Sequence, residues 1–315
     1  MRVPGFPRFN DTEIPVQLLY GNGTYGVSGT IGLAPWKLGS YSVAQQAFLN
    51  ITRLISRITL FDYDILGILG LGFPTASHID FAVRTKYGNS STLGRSVLSN
   101  FFTENPALPK VVTLRLTRFD DPQDIKTGGV FSIGEYDKNY TAVTTAPKIP
   151  QYPPGGRRWT ASLEGIYVDQ TTIPVVSNIT AVPAGHAVAL LDSGNPTASL
   201  PIVLWDAIYS RIPGAVKYPE KSVWILPCNT TSIVEMVFRY VITGKHSRTV
   251  FSISFYSGVK YAIHPLDLSF ISGPITIPGG RVIACLSTFR GDNSLGSIGF
   301  DLVLGTAFLR NTYAA

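Results

Sequence analysis

The chain has 315 residues, of which 45% are hydrophobic and 15% are charged, and this balance is typical of a folded globular protein rather than a disordered one. A chain of this length can form about two domains, each with its own core. The formal net charge is +6, but the sequence contains no run of three Lys or Arg residues, so the charge does not indicate nucleic-acid binding. No stretch approaches the roughly eighteen continuous apolar residues that a membrane helix needs.

Short strands dominate the predicted elements. Alternating or apolar segments bounded by turn residues predict strands, in chain order, over residues 65–73, 111–119, 130–133, 222–226, 236–242, 250–255 and 301–309. A short helix is predicted over 96–103 and a longer one over 201–212, where Pro201 suits the first turn. The apolar face of that second helix is formed by Ile202, Trp205, Ile208 and Ile212. Many strands and few short helices predict an all-β protein.

A segment rich in proline and glycine, residues 147–158, divides the chain near its middle. We interpret it as the crossing between two lobes, residues 1–150 and 151–315. Each half also contains an apolar strand with a glycine at which another backbone can approach closely, at 65–73 and at 301–309. The pair predicts a duplicated architecture, and chance recurrence of apolar, glycine-containing runs is the alternative.

The two cysteines, Cys228 and Cys285, either pair with each other or are buried thiols. The chain also contains seven Asn-x-Ser/Thr sequons, at Asn10, Asn22, Asn50, Asn89, Asn139, Asn178 and Asn229. Sequons and a candidate disulfide together favour a glycoprotein of the secretory pathway or the extracellular space. The first residues hold no apolar core long enough for a signal peptide, so the beginning of the chain looks clipped.

The strongest local motif is Asp192-Ser193-Gly194-Asn195, which follows the apolar pair Leu190-Leu191. One interpretation is an Asx-turn at the end of a strand. The alternative is a catalytic carboxylate on a tight turn. The step Leu200-Pro201 follows this motif and leads into the predicted helix.

With these motifs the chain resembles the secreted pepsin-like aspartic endopeptidases, and the fungal members most of all. The segment Tyr20-Gly21-Asn22-Gly23-Thr24 is similar to the flap hairpin of that family, whose tyrosine closes over substrate. Further segments match family strands in the same order, at 67–73, 128–134, 159–166 and 304–310. The resemblance extends from about Phe9 to Tyr313.

The resemblance implies an all-β, bilobal pepsin-like fold with few short helices and an incomplete first lobe. It implies that Asp192 is catalytic, that Ser193, Gly194 and Asn195 form the active-site turn, and that Tyr20, Gly21, Asn22 and Gly23 belong to the flap and bind substrate. It also implies a disulfide between Cys228 and Cys285. We expect a monomer that acts on a peptide or protein, with no cofactor and no metal.

The chemistry of this family needs two aspartates, one from each lobe, which share one proton at a common water. The first Asp-Thr-Gly of the family lies several dozen residues before the flap, whereas nineteen residues precede Tyr20 here. Asp11-Thr12-Glu13 is the one Asp-Thr pair among them, and its glutamate cannot replace the turn glycine. We therefore expect this chain to lack the first catalytic aspartate, to be clipped at both ends, and to be inactive as given. The alternative is a non-catalytic relative that binds peptide or protein in the cleft between the lobes.

Two departures from the family pattern concern the site itself. Asn195 stands where Thr or Ser is usual, and Thr306 replaces the usual Asp of the closing strand.

The sequence gives weaker support to other classes of function. The pattern Gly21-x-Gly23-x-x-Gly26 matches a dinucleotide-binding motif, but the residues that follow it cannot open a helix. The histidines share no metal-ligand spacing, and they are His78, His186, His246 and His264. The chain has no Gly-x-Ser-x-Gly elbow, which argues against a serine hydrolase.

Overall fold

A computed structural model describes residues 8–20, 23, 25–55, 65, 67–118, 128–242, 255–277 and 280–315 of the chain. The chain forms two compact units, residues 1–110 and 111–315. Strands far outnumber helices in the described residues, and the helices are short, so the predicted all-β class is confirmed. No helix in these ranges is long and apolar enough to cross a membrane.

The first unit contains an antiparallel meander of three strands, β1 (Asn10–Tyr20), β2 (Tyr25–Leu38) and β3 (Tyr41–Leu54). Two helices follow, α1 (His78–Tyr87) and α2 (Val97–Glu104). The core between them is formed by Ile14, Val16, Ile31, Leu33, Ala47 and Val83. Burying each of the larger of these side chains contributes about 1.5–3 kcal/mol.

Helix α2 confirms the helix predicted over 96–103, and its cap explains where it begins. The Ser96 side chain accepts a hydrogen bond from the Ser99 amide and satisfies one of the free donors at the helix start. Helix α1 was not predicted, although Ser77 caps it in the same way through the Asp80 amide. Val83 is the one buried residue of α1, so the sequence carries too little apolar periodicity to reveal it.

The prediction of a strand over 65–73 is wrong for the residues that the structure describes. Residue 65 and residues 67–73 form no strand, and Ile68 has 65% of its surface exposed. Among the described residues, no atom lies within 4 Å of a side chain built at Gly67, Gly70 or Gly72, so no described backbone approaches these glycines closely. An apolar run forms a strand only if a partner strand takes its backbone hydrogen bonds, a condition that the run's own sequence does not reveal.

The second unit begins with strands β4 (Val112–Leu116), β5 (Gly129–Ile133), β6 (Thr160–Val168), β7 (Thr171–Ile173), β8 (Ala187–Leu191) and β9 (Ala198–Leu200). Helix α3 (Ile202–Tyr209) follows. The next strands are β10 (Val216–Tyr218), β11 (Val223–Leu226), β12 (Val234–Ile242), β13 (Phe255–Ile263), β14 (Ser269–Ile271), β15 (Ile275–Ile277), β16 (Gly280–Val282), β17 (Cys285–Ser287), β18 (Phe289–Gly291) and β19 (Leu302–Leu304). The chain ends with helix α4 (Thr306–Leu309) and strand β20 (Tyr313–Ala314).

These strands form one large sheet and three smaller ones. The large sheet has the order β13-β12-β6-β8-β19-β9-β18, with β7 paired to β6. The smaller sheets have the orders β10-β11-β17-β14, β15-β16 and β20-β4-β5. The strands predicted over 111–119, 130–133, 222–226 and 236–242 are confirmed as β4, β5, β11 and β12. Of the strand predicted over 250–255, residues 250–254 lie outside the described residues, and Phe255 begins β13.

The helix predicted over 201–212 is confirmed as α3, but the prediction of its apolar face was partly wrong. Trp205, Ile208 and Ile212 are buried as predicted, whereas Ile202 is 38% exposed. Leu204 and Tyr209 are buried in its place. Pro201 precedes the helix. The Ile202 amide donates to Asn293 Oδ1 at 3.0 Å, although Asn293 lies 91 residues further along the chain. That contact fixes how the first turn is oriented, and no local pattern shows it.

The predicted disulfide between Cys228 and Cys285 is present, with 5.3 Å between the Cα atoms. It joins the segment after β11 to β17 and closes a loop of 57 residues. The predicted lobes, 1–150 and 151–315, stay a prediction. The first of the two compact units ends earlier, at Lys110, because β4 pairs with β20 at the end of the chain and with β5.

Candidate active site

Asp192 directly follows β8, at a tight turn. Its amide donates to the Leu304 carbonyl at 3.0 Å, which continues the pairing of β8 with β19. The Asp192 carbonyl then accepts from the Asn195 amide at 3.1 Å, and Asp192 Oδ1 accepts from the Gly194 amide at 2.9 Å. The turn therefore fixes one carboxylate oxygen by a backbone donor. Asp192 is half-buried, and Ser193 and Gly194 are exposed.

The turn is held by the segment that follows β19. The Thr306 amide donates to the Asn195 carbonyl at 2.7 Å, and Thr306 Oγ1 donates to the Pro196 carbonyl at 3.0 Å. A side chain at Gly305 would lie 2.0 Å from the Thr197 carbonyl oxygen and 2.1 Å from that of Asn195. Only glycine permits this approach, so the close contact predicted for the 301–309 segment is confirmed. Only part of that segment is a strand, since β19 ends at Leu304 and α4 begins at Thr306.

Asp301 fixes the other end of β19 against β8. Its amide donates to the Val188 carbonyl at 2.8 Å, and its Oδ2 accepts from the Val188 amide, also at 2.8 Å. The carboxylate is 5% exposed and lies next to the parallel pairing of Leu302 with Ala189. Sequence reasoning missed this residue, because the aspartate before an apolar run reads as an ordinary turn residue.

The two departures from the family pattern have defined contacts. Asn195 Oδ1 accepts hydrogen bonds from both the amide and the hydroxyl of Thr197, each at 3.0 Å. The Asn195 side chain thus stabilises the backbone just after the turn. Its amide donates to the Asp192 carbonyl and stabilises the turn itself. Thr306 uses both its amide and its hydroxyl to hold the turn from the other side. The role of Thr306 was also missed, since the sequence marked it only as a replacement for aspartate.

The predicted flap residues lie at the end of the hairpin formed by β1 and β2. Tyr20 pairs directly with Tyr25, and its carbonyl accepts from the Gly23 amide at 3.1 Å. Gly23 has a φ of +88°, which suits glycine at a turn. Burial raises the pKa of the Tyr20 hydroxyl, so the group keeps its proton. Gly21 and Asn22 lie outside the described residues.

Asp11, the aspartate of the one other Asp-Thr pair, has a local structural role. Its Oδ1 accepts from the Glu13 amide at 2.9 Å, and its Oδ2 accepts from the Thr30 hydroxyl at 3.0 Å. These bonds support an irregularity between Asp11 and Pro15, where Glu13 adopts a φ of +60°. Both carboxylate oxygens of the exposed Asp11 are thus used within the hairpin.

Among the residues that the structure describes, no group of three His, Cys, Asp or Glu side chains could hold a metal ion. His186 instead lies between two protein partners. Its Nδ1 is 3.0 Å from Ser162 Oγ, and its Nε2 is 3.1 Å from an Nη2 of Arg239. Arg239 in turn donates to Glu164 at 2.6 Å. A guanidinium cannot accept a hydrogen bond, so Nε2 accepts and the ring proton lies on Nδ1.

The arrangement can be compared with known proteins. The profile of the family described as Eukaryotic aspartyl protease matches residues 8–315. The chain is also 26% identical over 310 residues to the "Aspartic-type endopeptidase ctsD" of Aspergillus fumigatus. That alignment covers 96% of this chain and 51% of the relative, so the chain spans about half the length of the curated relative it matches. Since the family profile covers nearly the whole chain, the chain belongs to the eukaryotic aspartyl protease family, as the sequence motifs indicated.

Proposed function

We propose that Asp192 is one of the two catalytic carboxylates of an aspartic endopeptidase. Aspartic endopeptidases hydrolyse a peptide bond with a water held between two aspartates that share one proton. One carboxylate acts as a general base on the water while the other protonates the scissile carbonyl oxygen. The observation that carries this proposal is the Asp192 turn, which is fixed by the Thr306 amide and by the close approach at Gly305.

We further propose that the 315-residue chain does not hydrolyse peptides by itself. Its sequence contains one Asp-Ser-Gly and no Asp-Thr-Gly, and one carboxylate cannot act as base and acid in the same step. Asp11 does not supply a second motif, because Asp11-Thr12-Glu13 has a glutamate where the active-site turn needs glycine. The single motif also favours the alternative function, a non-catalytic protein that binds peptide or protein.

The remaining parts of the proposal concern substrate and environment. We propose that the Tyr20 hairpin contacts a peptide substrate through its tip, where the protonated hydroxyl can donate a hydrogen bond. We propose a monomer, and a location in the secretory pathway or outside the cell is supported by the Cys228–Cys285 disulfide, which an oxidising compartment maintains. Five sequon asparagines are exposed and available to a glycan, and they are Asn10, Asn89, Asn139, Asn178 and Asn229.

The gene sequence upstream of Met1 separates the two functions. An in-frame apolar strand that ends in Asp-Thr-Gly or Asp-Ser-Gly supports the endopeptidase. Its absence from every transcript supports the binding protein.

Peptide hydrolysis at acidic pH provides the biochemical test. We expect the 315-residue chain to show no turnover. A longer product with the second motif should be active, and Asp192→Asn should lower its kcat by about three orders of magnitude or more. Asp11→Asn is the matched control and should leave kcat unchanged. Turnover by the 315-residue chain that Asp192→Asn abolishes would show that the second aspartate is dispensable.

A further inference from the structure

The disulfide between Cys228 and Cys285 has one covered side and one exposed side. Cys285 lies in β17 and is 3% exposed, whereas Cys228 is exposed in the loop that follows β11. Cys228 and its neighbour Asn229 are the central residues of a turn, in which the Thr230 amide donates to the Pro227 carbonyl at 3.1 Å. Because thiol–disulfide exchange needs a thiolate to reach a sulfur atom, a reductant approaches this bridge from the side of Cys228.

Two apolar side chains are exposed beside the same bridge. Ile271 of β14 pairs directly with Cys285 of β17, and directly opposite residues of an antiparallel pair point to the same face of the sheet. Ile271 is nevertheless 73% exposed, and Ile283, two positions before Cys285, is 67% exposed. The Ser272 amide donates to the Ala284 carbonyl at 2.8 Å, so the two segments stay adjacent beyond β14 and β17. We call Ile271 and Ile283 the apolar patch.

A sequon begins at the exposed turn. Its residues are Asn229-Thr230-Thr231, and both Asn229 and Thr231 are exposed. The Cα atoms of Cys228 and Cys285 are 5.3 Å apart. One residue along the chain and one step across the β14–β17 ladder then place the Asn229 Cα within about 15 Å of the Ile271 Cα. An oligosaccharide of several sugar rings spans a distance of this order.

We propose that Asn229 carries an N-linked oligosaccharide that covers the apolar patch and the exposed side of the Cys228–Cys285 bridge. Glycosylation here rests on the proposed secretory location, where the lipid-linked sugar donor is found. The Asn229 amide nitrogen forms a bond to C1 of the first sugar, the bond from that carbon to the lipid pyrophosphate breaks, and the amide proton leaves with the pyrophosphate. Since an N-glycan is bulky and hydrophilic, it keeps a protein-sized thiol away from the bridge and other chains away from the patch.

Mass spectrometry measures the occupancy of this site. The 315-residue chain is secreted from eukaryotic cells behind a cleavable leader, and a peptide-N-glycosidase then releases its glycans in water that contains heavy oxygen. This release converts a glycosylated asparagine into a labelled aspartate, and we expect the label at position 229. The leader directs the chain into the secretory pathway whatever its natural location. An unlabelled Asn229 would therefore overturn this glycan site without contradicting the proposed location or the proposed role of Asp192.

The rate at which the bridge is reduced measures how far the glycan covers it. A thioredoxin-type protein should reduce the bridge about tenfold faster in Asn229→Gln, whereas dithiothreitol, a small thiol, should reduce both chains at rates within about twofold. Thr231→Val removes the sequon but keeps Asn229, so it should behave as Asn229→Gln does. Asn178→Gln is the matched control, because Asn178 is an exposed sequon asparagine of the same unit that follows β7 of the large sheet. Its bridge should be reduced as in the unchanged chain.

Two results of this comparison would overturn the proposal. Equal acceleration by both thiols would mean that loss of the sequon weakens the bridge rather than uncovers it. Equal acceleration in Asn178→Gln would mean that the loss of any glycan has the same effect.

Self-association measures how far the glycan covers the apolar patch. Trimming the glycans of the folded, unchanged chain with an endoglycosidase avoids any variant that folds poorly. Sedimentation velocity should then show more dimers and larger species, and Ile271→Ser should reverse that increase because it makes the patch more polar. An unchanged distribution after trimming would overturn the covering of the patch.

Discussion

At the scale of single residues, the position of Asp192 depends on a residue more than a hundred positions away. A side chain at Gly305 would overlap the carbonyl oxygens of Thr197 and Asn195, both parts of the backbone that follows Asp192. The φ of Gly305 is −90°, an ordinary value for any residue. Any cost of substituting Gly305 is therefore steric and not conformational.

We predict that Gly305→Ala destabilises the second unit by about 1–3 kcal/mol or more, the usual cost of forcing extra atoms into a packed site. Gly296→Ala is the matched control, since a side chain at Gly296 would meet no atom of the described residues within 4 Å. Its effect should stay within about 0.5 kcal/mol. Urea unfolding compares the two variants. Equal midpoints would mean that the backbone at Asn195 and Thr197 yields without cost.

The sequence predicted the site unevenly, and the reason is distance along the chain. The Asp192-Ser193-Gly194 motif is local, so its residues and its turn could be predicted from a few neighbours. Asp301 and Thr306 act through hydrogen bonds to Val188 and Asn195, over a hundred residues earlier. No local pattern marks such contacts, and only the pairing of β19 with β8 brings them together.

At the scale of elements, polar side chains connect three neighbouring strands of the large sheet. Ser162 and Glu164 lie in β6, Arg239 in β12, and His186 just before β8. The chain of contacts is Ser162–His186–Arg239–Glu164, with each distance between 2.6 and 3.1 Å. Burial of the ring and the nearby positive charge of Arg239 lower the pKa of His186, while the carboxylate of Glu164 opposes them.

This network predicts a loss of stability towards acidic pH. A lowered pKa means that the folded state takes up the His186 proton less readily than the unfolded chain does. The contribution is fully present above the ordinary histidine pKa of about 6.5 and is lost as pH falls from there through the folded pKa. We expect the unfolding free energy of the unchanged chain to fall more steeply between about pH 7.5 and 5 than that of His186→Gln.

Urea unfolding at a series of pH values measures both chains, and the difference between them removes the contribution of the carboxylates. A difference that grows in favour of the unchanged chain at low pH would contradict the prediction. It would mean that Glu164 outweighs burial and Arg239, and that the folded state prefers the protonated ring.

The two similar apolar segments show what an element needs besides its own sequence. Residues 302–304 become β19 because β8 and β9 take their backbone hydrogen bonds on both sides. Residues 67–73 have a similar pattern but form no strand in the described part of the chain. Apolar content and glycine spacing therefore predicted a strand at both places, and these two features alone do not distinguish the segment that forms one.

At the scale of the whole molecule, the fold class was predictable because it depends on the alternation and turn chemistry of many segments at once. The limits of the two compact units depend instead on long-range pairing, and the predicted lobes, 1–150 and 151–315, stay a prediction. The proline- and glycine-rich segment at 147–158 suggested a boundary, yet β4 and β5 belong to the same unit as β20, near the end of the chain. The Cys228–Cys285 bridge lies entirely within that second unit.

We predict that removing this bridge destabilises one unit and leaves the other unchanged. The double variant Cys228→Ala/Cys285→Ala opens a loop of 57 residues and should lower the unfolding free energy of residues 111–315 by about 4 kcal/mol, through the entropy gained by the unfolded chain. Hydrogen exchange measured peptide by peptide should show weaker protection in β6, β8 and β12 and the same protection in β1, β2 and β3. An equal loss in both sets would show that residues 1–110 and 111–315 unfold together, so that the bridge stabilises the whole chain.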